Sequence, residues 1–139
     1  MIGLFLAALL IALNGFFVAA EFALVKVRPT QIQPLVDKGE FRARITKHVL
    51  DRMDSYLSAA QLGITLASLA LGWIGEPAFA WILRPLFDHI PGASPSLLRS
   101  ASITAAFFTI TSLHIVLGEQ APKWLGLKHP EAVSLWVSI

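Results

Sequence analysis

The chain contains no cysteine. Disulfides, thiol catalysis and cysteine-ligated metal sites are therefore excluded. Charge is also scarce: 14% of the 139 residues are Asp, Glu, Lys or Arg, against about a quarter in soluble domains. The net charge of +2 is too small to point to nucleic acid. No nucleophile, base and acid set and no phosphate-cradling glycine loop stands out, so an enzyme is not expected. What the chain does have is apolar surface, with 55% hydrophobic residues and a mean hydropathy of +0.67. A small soluble fold has too much surface for its volume to bury that much. An all-α membrane protein is the expected class.

Three stretches are long enough to span: about 2–25, 56–74 and 96–117. Roughly 20 residues at 1.5 Å each cross a hydrocarbon core of about 30 Å. No Lys or Arg precedes Lys26, the reverse of the charge order in a cleaved signal peptide. Residues 26 to 52 carry seven basic side chains, Lys26, Arg28, Lys38, Arg42, Arg44, Lys47 and Arg52. The link between the second and third spans holds Arg84, and Arg99 begins the third. Basic loops stay cytoplasmic. The expected orientation in the cell membrane thus puts the N-terminus outside, with segment 26–55, Lys123 and Lys128 inside.

That segment alternates charge with Ile32, Leu35, Val36, Phe41, Ile45, Val49 and Leu50. The spacing predicts one or two amphipathic helices, broken at Gly39, on the inner membrane face or against a partner domain. The link GEPAFAWILRPLFDHIPGASPS has prolines at 77, 85, 91 and 95. It reads as short interfacial helices, with GEP ending the second span and Glu76 at the outer face. Trp73, Trp81, Trp124 and Trp136 suit interfacial anchoring.

Each span carries a polar seam. Ser58, Gln61, Thr65, Ser68 and Gly72 share one face of the second span. Asn14 and Glu21 lie seven residues apart in the first span, as do Thr104, Thr111 and Gly118, and Ser112 and Glu119, in the third. The seams are expected to face one another. Hydroxyls and small residues are ordinary glue between membrane helices. Carboxylates within a span, such as Glu21 and Glu119, are functional candidates unless paired. Pro122 lacks an amide hydrogen and is expected to break the helix, freeing carbonyls around Leu117 and Gly118. Glu119 beside freed carbonyls, facing Ser68 and Thr65, would form an all-oxygen cluster suited to Mg²⁺ or Ca²⁺. A competing reading pairs Glu119 with Lys123, four residues on. His114, with no second histidine at ligand spacing, reads as a buried, hydrogen-bonded side chain.

Three ordered stretches carry a family resemblance: NGFFVAAEFALVKVR (14–28), DSYLSAAQLGITLASLALGWIGEP (54–77) and HIVLGEQAPKWLGLKHPE (114–131). They resemble the transmembrane domain of the CorC/cyclin M (CNNM) family. The resemblance implies that residues 1–139 form a dimeric three-span domain in the lipid bilayer, braced by a cytoplasmic amphipathic helix. It also implies Mg²⁺ export coupled to Na⁺, as is proposed for the family. Full-length members continue into nucleotide-binding CBS domains and often a small C-terminal domain. Those are absent from this chain, which is expected to be a fragment. The family's Gly-Glu-x-x-Pro-Lys motif matches Gly118, Glu119, Pro122 and Lys123, and its second-span ligand falls at Ser68, with Thr65 one turn earlier. The first-span serine falls at Val18, which has no side-chain oxygen. Asn14, Glu21 and Gln61 are then expected to line the ion path or bind the coupling ion, with a backbone opening at Gly15. The competing function is a membrane anchor and dimerisation module that transports nothing and holds cytoplasmic sensor domains. A membrane-lysing role fits three delimited spans poorly.

Overall fold

A helix that crosses hydrocarbon must satisfy its own backbone, and long apolar runs without proline do so in one piece. Residues 2 to 26 are such a run, and they form α1 (Ile2–Lys26). The computed structural model describes residues 2–87, 92 and 94–138. Then follow α2 (Pro29–Asp37), α3 (Phe41–Asp51), α4 (Met53–Phe87), α5 (Pro95–Leu113), a π-helical segment (His114–Gln120), α6 (Ala121–Lys128) and α7 (Pro130–Val137). No strand occurs among the described residues. Three helical stretches are long and apolar enough to cross a membrane: Ile2–Lys26, Met53–Phe87 and the continuous run Pro95–Lys128.

The second and third stretches outrun the sequence expectation. α4 does not stop at Gly75-Glu76-Pro77 but continues through Pro77 and Pro85 to Phe87. The short interfacial helices expected after residue 74 are therefore, up to residue 87, the end of one long helix. Residues 88–91 and 93 of that link lie outside the described residues. The reason is energetic: a proline removes one hydrogen bond, whereas ending a helix in an apolar medium strands several carbonyls. The same holds at Pro122. Instead of breaking, the third stretch widens into the π-helical segment and resumes as α6. Gly15 opens nothing either, since α1 runs through it as regular helix.

Helices α2 and α3 flank Gly39, whose φ of +82° suits a residue without Cβ. Val27, Ile32 and Ala43 form a small core here, with Leu35, Val36, Leu50 and Leu135 packed on it. α7 lies in the angle between this pair and α1. Val133 packs on Ala19 and Ala23, the Trp136 ring meets Phe16 edge-on at 6.2 Å, and the Thr46 hydroxyl lies 3.4 Å from the Ser134 carbonyl. Large apolar side chains such as Phe5, Leu9, Leu66 and Trp73 remain exposed, as expected where hydrocarbon is the solvent.

Helix contacts are close because small residues line them. A Cβ on Gly126 would fall 2.8 Å from the Ala19 carbonyl. One on Gly3 would meet the Ala78 Cβ at 3.0 Å, and one on Gly75 the Ile110 side chain at 3.0 Å. These contacts hold α4 and α6 against α1, and α5 against α4.

Candidate functional site

A proline cannot donate to the carbonyl four residues before it, and its ring crowds that oxygen. For Pro122 that residue is Gly118. The π-helical segment ends just before the proline, and the Gly118 carbonyl takes a donor from another helix: Asn14 Nδ2 donates to it at 2.9 Å. Asn14 is only 1% exposed. A buried amide near the middle of a span must use both its ends. Asn14 Oδ1 accepts from Ser68 Oγ at 3.3 Å, and Ser68 Oγ lies 3.4 Å from His114 Nε2.

The Ser68 hydroxyl donates to Asn14 Oδ1, the Asn14 amide donates to the Gly118 carbonyl, and the direction of the Ser68–His114 contact is set by the histidine tautomer. No buried side-chain N or O lacks a partner among the described residues. Two glycines admit this geometry. A Cβ at Gly118 would fall 2.9 Å from His114 Cδ2 and 3.4 Å from Asn14 Nδ2. One at Gly15 would fall 2.9 Å from Pro122 Cγ. Gly15 thus acts through close approach to the third stretch and not through a backbone opening.

Two turns along α1 and α4, the pair recurs. Gln61 Nε2 donates to Glu21 Oε1 at 3.3 Å, seven residues from Ser68 and from Asn14 respectively. Glu21 is half-buried and Gln61 exposed. Between them on α4, the exposed Thr65 turns its hydroxyl to its own helix and donates to the Gln61 carbonyl at 2.9 Å. Ser58 does the same to Asp54 at 2.8 Å.

Of the residues singled out from sequence, then, Asn14, Ser68 and Gly118 meet in one cluster, and Glu21 meets Gln61. Thr65 is not brought to the cluster. Nor is Glu119: its side chain is exposed and makes no hydrogen bond or ion pair among the described residues. Its alternative partner Lys123 instead places Nζ 4.7 Å from the centre of the Phe22 ring. Val18 is buried at 3% exposure. From the third-span seam, Thr104 and Ser112 are exposed, and only Gly118 reaches the cluster. His114 is the member that sequence reasoning left out of the site. Its signal was its position four residues before Gly118, which puts both on one helical face.

Among the described residues no three His, Asp or Glu side chains gather at metal-binding spacing. The oxygen donors available at the cluster are neutral: the Asn14 amide, the Ser68 hydroxyl and the Gly118 carbonyl. Such a set favours hard cations over soft ones and needs a carboxylate to balance a double charge.

A search against family models matches residues 5–139 to the cyclin M transmembrane N-terminal domain. Among curated relatives, UPF0053 protein YugS of Bacillus subtilis is 44% identical over 93% of this chain, covering 30% of its own length. UPF0053 protein YhdT of the same organism is 45% identical over 97% of this chain and 29% of its own. Uncharacterized protein Rv1841c of Mycobacterium tuberculosis is 37% identical over 94% of this chain and 36% of its own. The chain spans about a third of the length of these relatives. No solved structure matches it. With all but its first four residues matched by one family model, and three apolar helical stretches sharing a buried polar cluster, the chain belongs to the cyclin M transmembrane domain family.

Proposed function

We propose that this chain is the transmembrane domain of a divalent-cation exporter that moves Mg²⁺ outward in exchange for Na⁺. The observation that carries the reading is the polar cluster of Asn14, Ser68, His114 and the Gly118 carbonyl, built around a π-helical segment inside membrane-spanning helices. A wide turn and a buried amide are costly in hydrocarbon and are kept where they serve an ion. Family membership supports the same reading.

The spacing of the oxygens suits a small hard cation. Mg²⁺ bound octahedrally at about 2.1 Å sets neighbouring ligand oxygens about 3 Å apart. Ser68 Oγ and Asn14 Oδ1 stand 3.3 Å apart. The charge is supplied by Glu119, next to Gly118 in sequence, whose free carboxylate turns inward on binding. Thr65 serves as a further oxygen once the ion displaces its bond to Gln61. Glu21 and Gln61, two turns along the same helix faces, form the place where Na⁺ or the arriving Mg²⁺ is first held. Under this reading the N-terminus lies outside the cell and α2 and α3 inside, as the basic residues of 26–52 direct. The domain acts as a homodimer in the cell membrane, with cytoplasmic CBS domains in the full-length protein.

Thermal stability in detergent tests the site. A ligand that binds only the folded state at a hundred times its Kd adds about 2.7 kcal/mol. We expect saturable stabilisation by Mg²⁺, weaker effects of Ca²⁺ and Mn²⁺, and loss of the Mg²⁺ effect in Glu119→Gln. An equal Mg²⁺ response in wild type and Glu119→Gln would overturn Glu119 as ligand.

One observation favours a second reading, a membrane anchor without transport. The cluster satisfies itself, with Asn14 using both ends of its amide and Glu119 standing outside. In that case Glu119→Gln is silent, no cation stabilises the protein, and Asn14 matters only as a clamp between α1 and the third stretch.

A further inference from the structure

Between Arg52 and Lys123 the sequence holds only two Lys or Arg residues, Arg84 and Arg99. They belong to different helices, α4 and α5, yet both line one cavity of about 1030 Å³ at the end of the bundle away from α2 and α3. That volume is at the upper end of the range for small-molecule sites. Helical spacing explains the shared wall. Glu76, Ala80 and Arg84 follow one another at four-residue steps on α4, as Pro95, Arg99 and Ile103 do on α5. Each set forms one stripe of its helix.

Two close contacts set the depth of the cavity. A Cβ on Gly3 of α1 would meet the Ala78 Cβ of α4 at 3.0 Å. Since α1 begins at Ile2, Ala78 lies near the edge of the hydrocarbon, and α4 rises beyond it to Phe87. Arg84 is six residues past Ala78, about 9 Å along the axis, which is headgroup depth. Gly75 meets Ile110 of α5 in the same way. Counted from that contact, Arg84 stands nine residues up α4 and Arg99 eleven up the antiparallel α5. At 1.5 Å each these are about 13.5 Å and about 16.5 Å, so the two arginines rise from nearly one level. Ala80, Trp81, Leu98 and Ile103 supply apolar wall around them, with Trp81 68% exposed.

The charge at this mouth is positive. Arg99 is exposed and makes no hydrogen bond or ion pair among the described residues. Glu76, the one acidic residue on the wall among the described residues, sits eight residues before Arg84, about 12 Å deeper. It too pairs with no described residue. Ser102 spends its hydroxyl on the Leu98 carbonyl at 2.9 Å. Two guanidiniums at headgroup depth above an apolar trough match one kind of molecule in a bilayer. Phosphate oxygens fit the planar guanidinium fork, acyl chains fit the trough, and basic pockets between membrane helices hold anionic headgroups in this manner. A zwitterionic lipid would bring its ammonium to a mouth that is already positive.

We infer that the α4–α5 cavity binds one anionic phospholipid, with its phosphate between Arg84 and Arg99 and its chains along Trp81 and Ile103. The site stands whether or not the domain moves an ion.

Native mass spectrometry of the detergent-purified chain tests this, with phosphatidylglycerol and phosphatidylcholine of identical acyl chains as probes. Wild type is expected to prefer phosphatidylglycerol by about fivefold or more, and Arg99→Gln to bring the preference below about twofold. Arg99 has no partner among the described residues to lose, so its removal leaves the fold intact. Ala80→Phe fills the trough with both charges in place and should weaken retention of phosphatidylglycerol. The double variant Arg42→Gln, Arg44→Gln on α3 should keep the preference. Equal retention of the two lipids by wild type would overturn the site. So would a preference that survives Arg99→Gln and falls in the α3 variant, which would move the headgroup to α3. Glycerol 3-phosphate, a phosphate ester without chains, should not displace the lipid, and displacement at millimolar concentration would make this a site for a soluble phosphate. A shift in the monomer–dimer ratio of lipid-free Arg99→Gln, with lipid retention unchanged, would assign the cavity to a second copy of the chain instead.

Discussion

Two prolines sit inside long membrane helices here with different consequences. Pro77 interrupts α4 and the helix passes through it unchanged in kind. Pro122 interrupts the third stretch, which answers with seven residues of π-helix. Both leave the carbonyl four residues earlier without its usual donor. For Pro77 that carbonyl belongs to Trp73, a residue 85% exposed, and among the described residues no side chain donates to it. For Pro122 it belongs to the buried Gly118, where Asn14 of α1 donates at 2.9 Å. A proline alone therefore does not make a site. A site arises where the freed carbonyl faces a polar side chain on a neighbouring helix.

The prolines themselves give the largest test of this difference. Proline inside a helix costs about 3 kcal/mol relative to alanine. Pro77→Ala restores a donor to Trp73 and is expected to stabilise the protein by close to that amount. Pro122→Ala restores a donor to Gly118 but makes Asn14 redundant, so the net gain should stay below about 1 kcal/mol. Thermal melts of the two variants side by side decide the matter. Equal gains would mean that Asn14 contributes nothing to holding the wide turn.

Glycine substitutions come next. Gly15→Ala puts a methyl 2.9 Å from the rigid Pro122 ring and should cost about 2 kcal/mol through overpacking. Gly72→Ala, on the α4 face with nothing within 4 Å of an added Cβ, should gain up to about 1 kcal/mol from helix propensity. Opposite signs for one substitution at two glycines would locate the contact between α1 and the Pro122 turn. A cost at Gly72 would instead show that another molecule covers that face.

Much of this was legible in the sequence. Periodicity placed Asn14, Ser68 and Gly118 on polar faces, and the lack of charge in three long stretches announced the spans. Two features escaped because they depend on what lies opposite. Whether Pro122 ends a helix or widens it turns on the Asn14 amide, 104 residues away along the chain. Which face of the third stretch meets its neighbours depends on them too: Gly118 meets α1, while Ser112 and Glu119, seven residues apart on a seam expected to face α4, are both exposed. His114 escaped for the same reason: its role depends on Ser68 coming within 3.4 Å.

Removing the clamp itself should have an intermediate effect. Asn14→Ala leaves the Gly118 carbonyl without its side-chain donor and Ser68 without its acceptor. Hydrogen bonds between membrane helices average about 0.6 kcal/mol and reach about 1.7. Two lost together predict a drop of about 1.5 kcal/mol. The double variant Asn14→Ala, Pro122→Ala should recover most of it, since alanine supplies Gly118 with a backbone donor. Failure to recover would show that the cost came from the cavity at position 14 and not from the orphaned carbonyl.

The smallest effect sharpens the comparison within α4. Thr65 and Ser68 lie three residues apart, yet their hydroxyls differ: Thr65 donates to its own helix at Gln61, whereas Ser68 donates across to Asn14. A back-bonded hydroxyl contributes little to stability, so Thr65→Val should change the melting temperature in the absence of ions by less than about 0.5 kcal/mol equivalent. Ser68→Ala should cost more, because it removes both the link to Asn14 and the link to His114. Adding Mg²⁺ then asks a separate question of the same variants. If Thr65 turns to the ion as proposed, Thr65→Val is silent without Mg²⁺ and loses part of the stabilisation with it. A full Mg²⁺ response in Thr65→Val, beside a lost one in Ser68→Ala, would confine the site to the oxygens that already cross between helices.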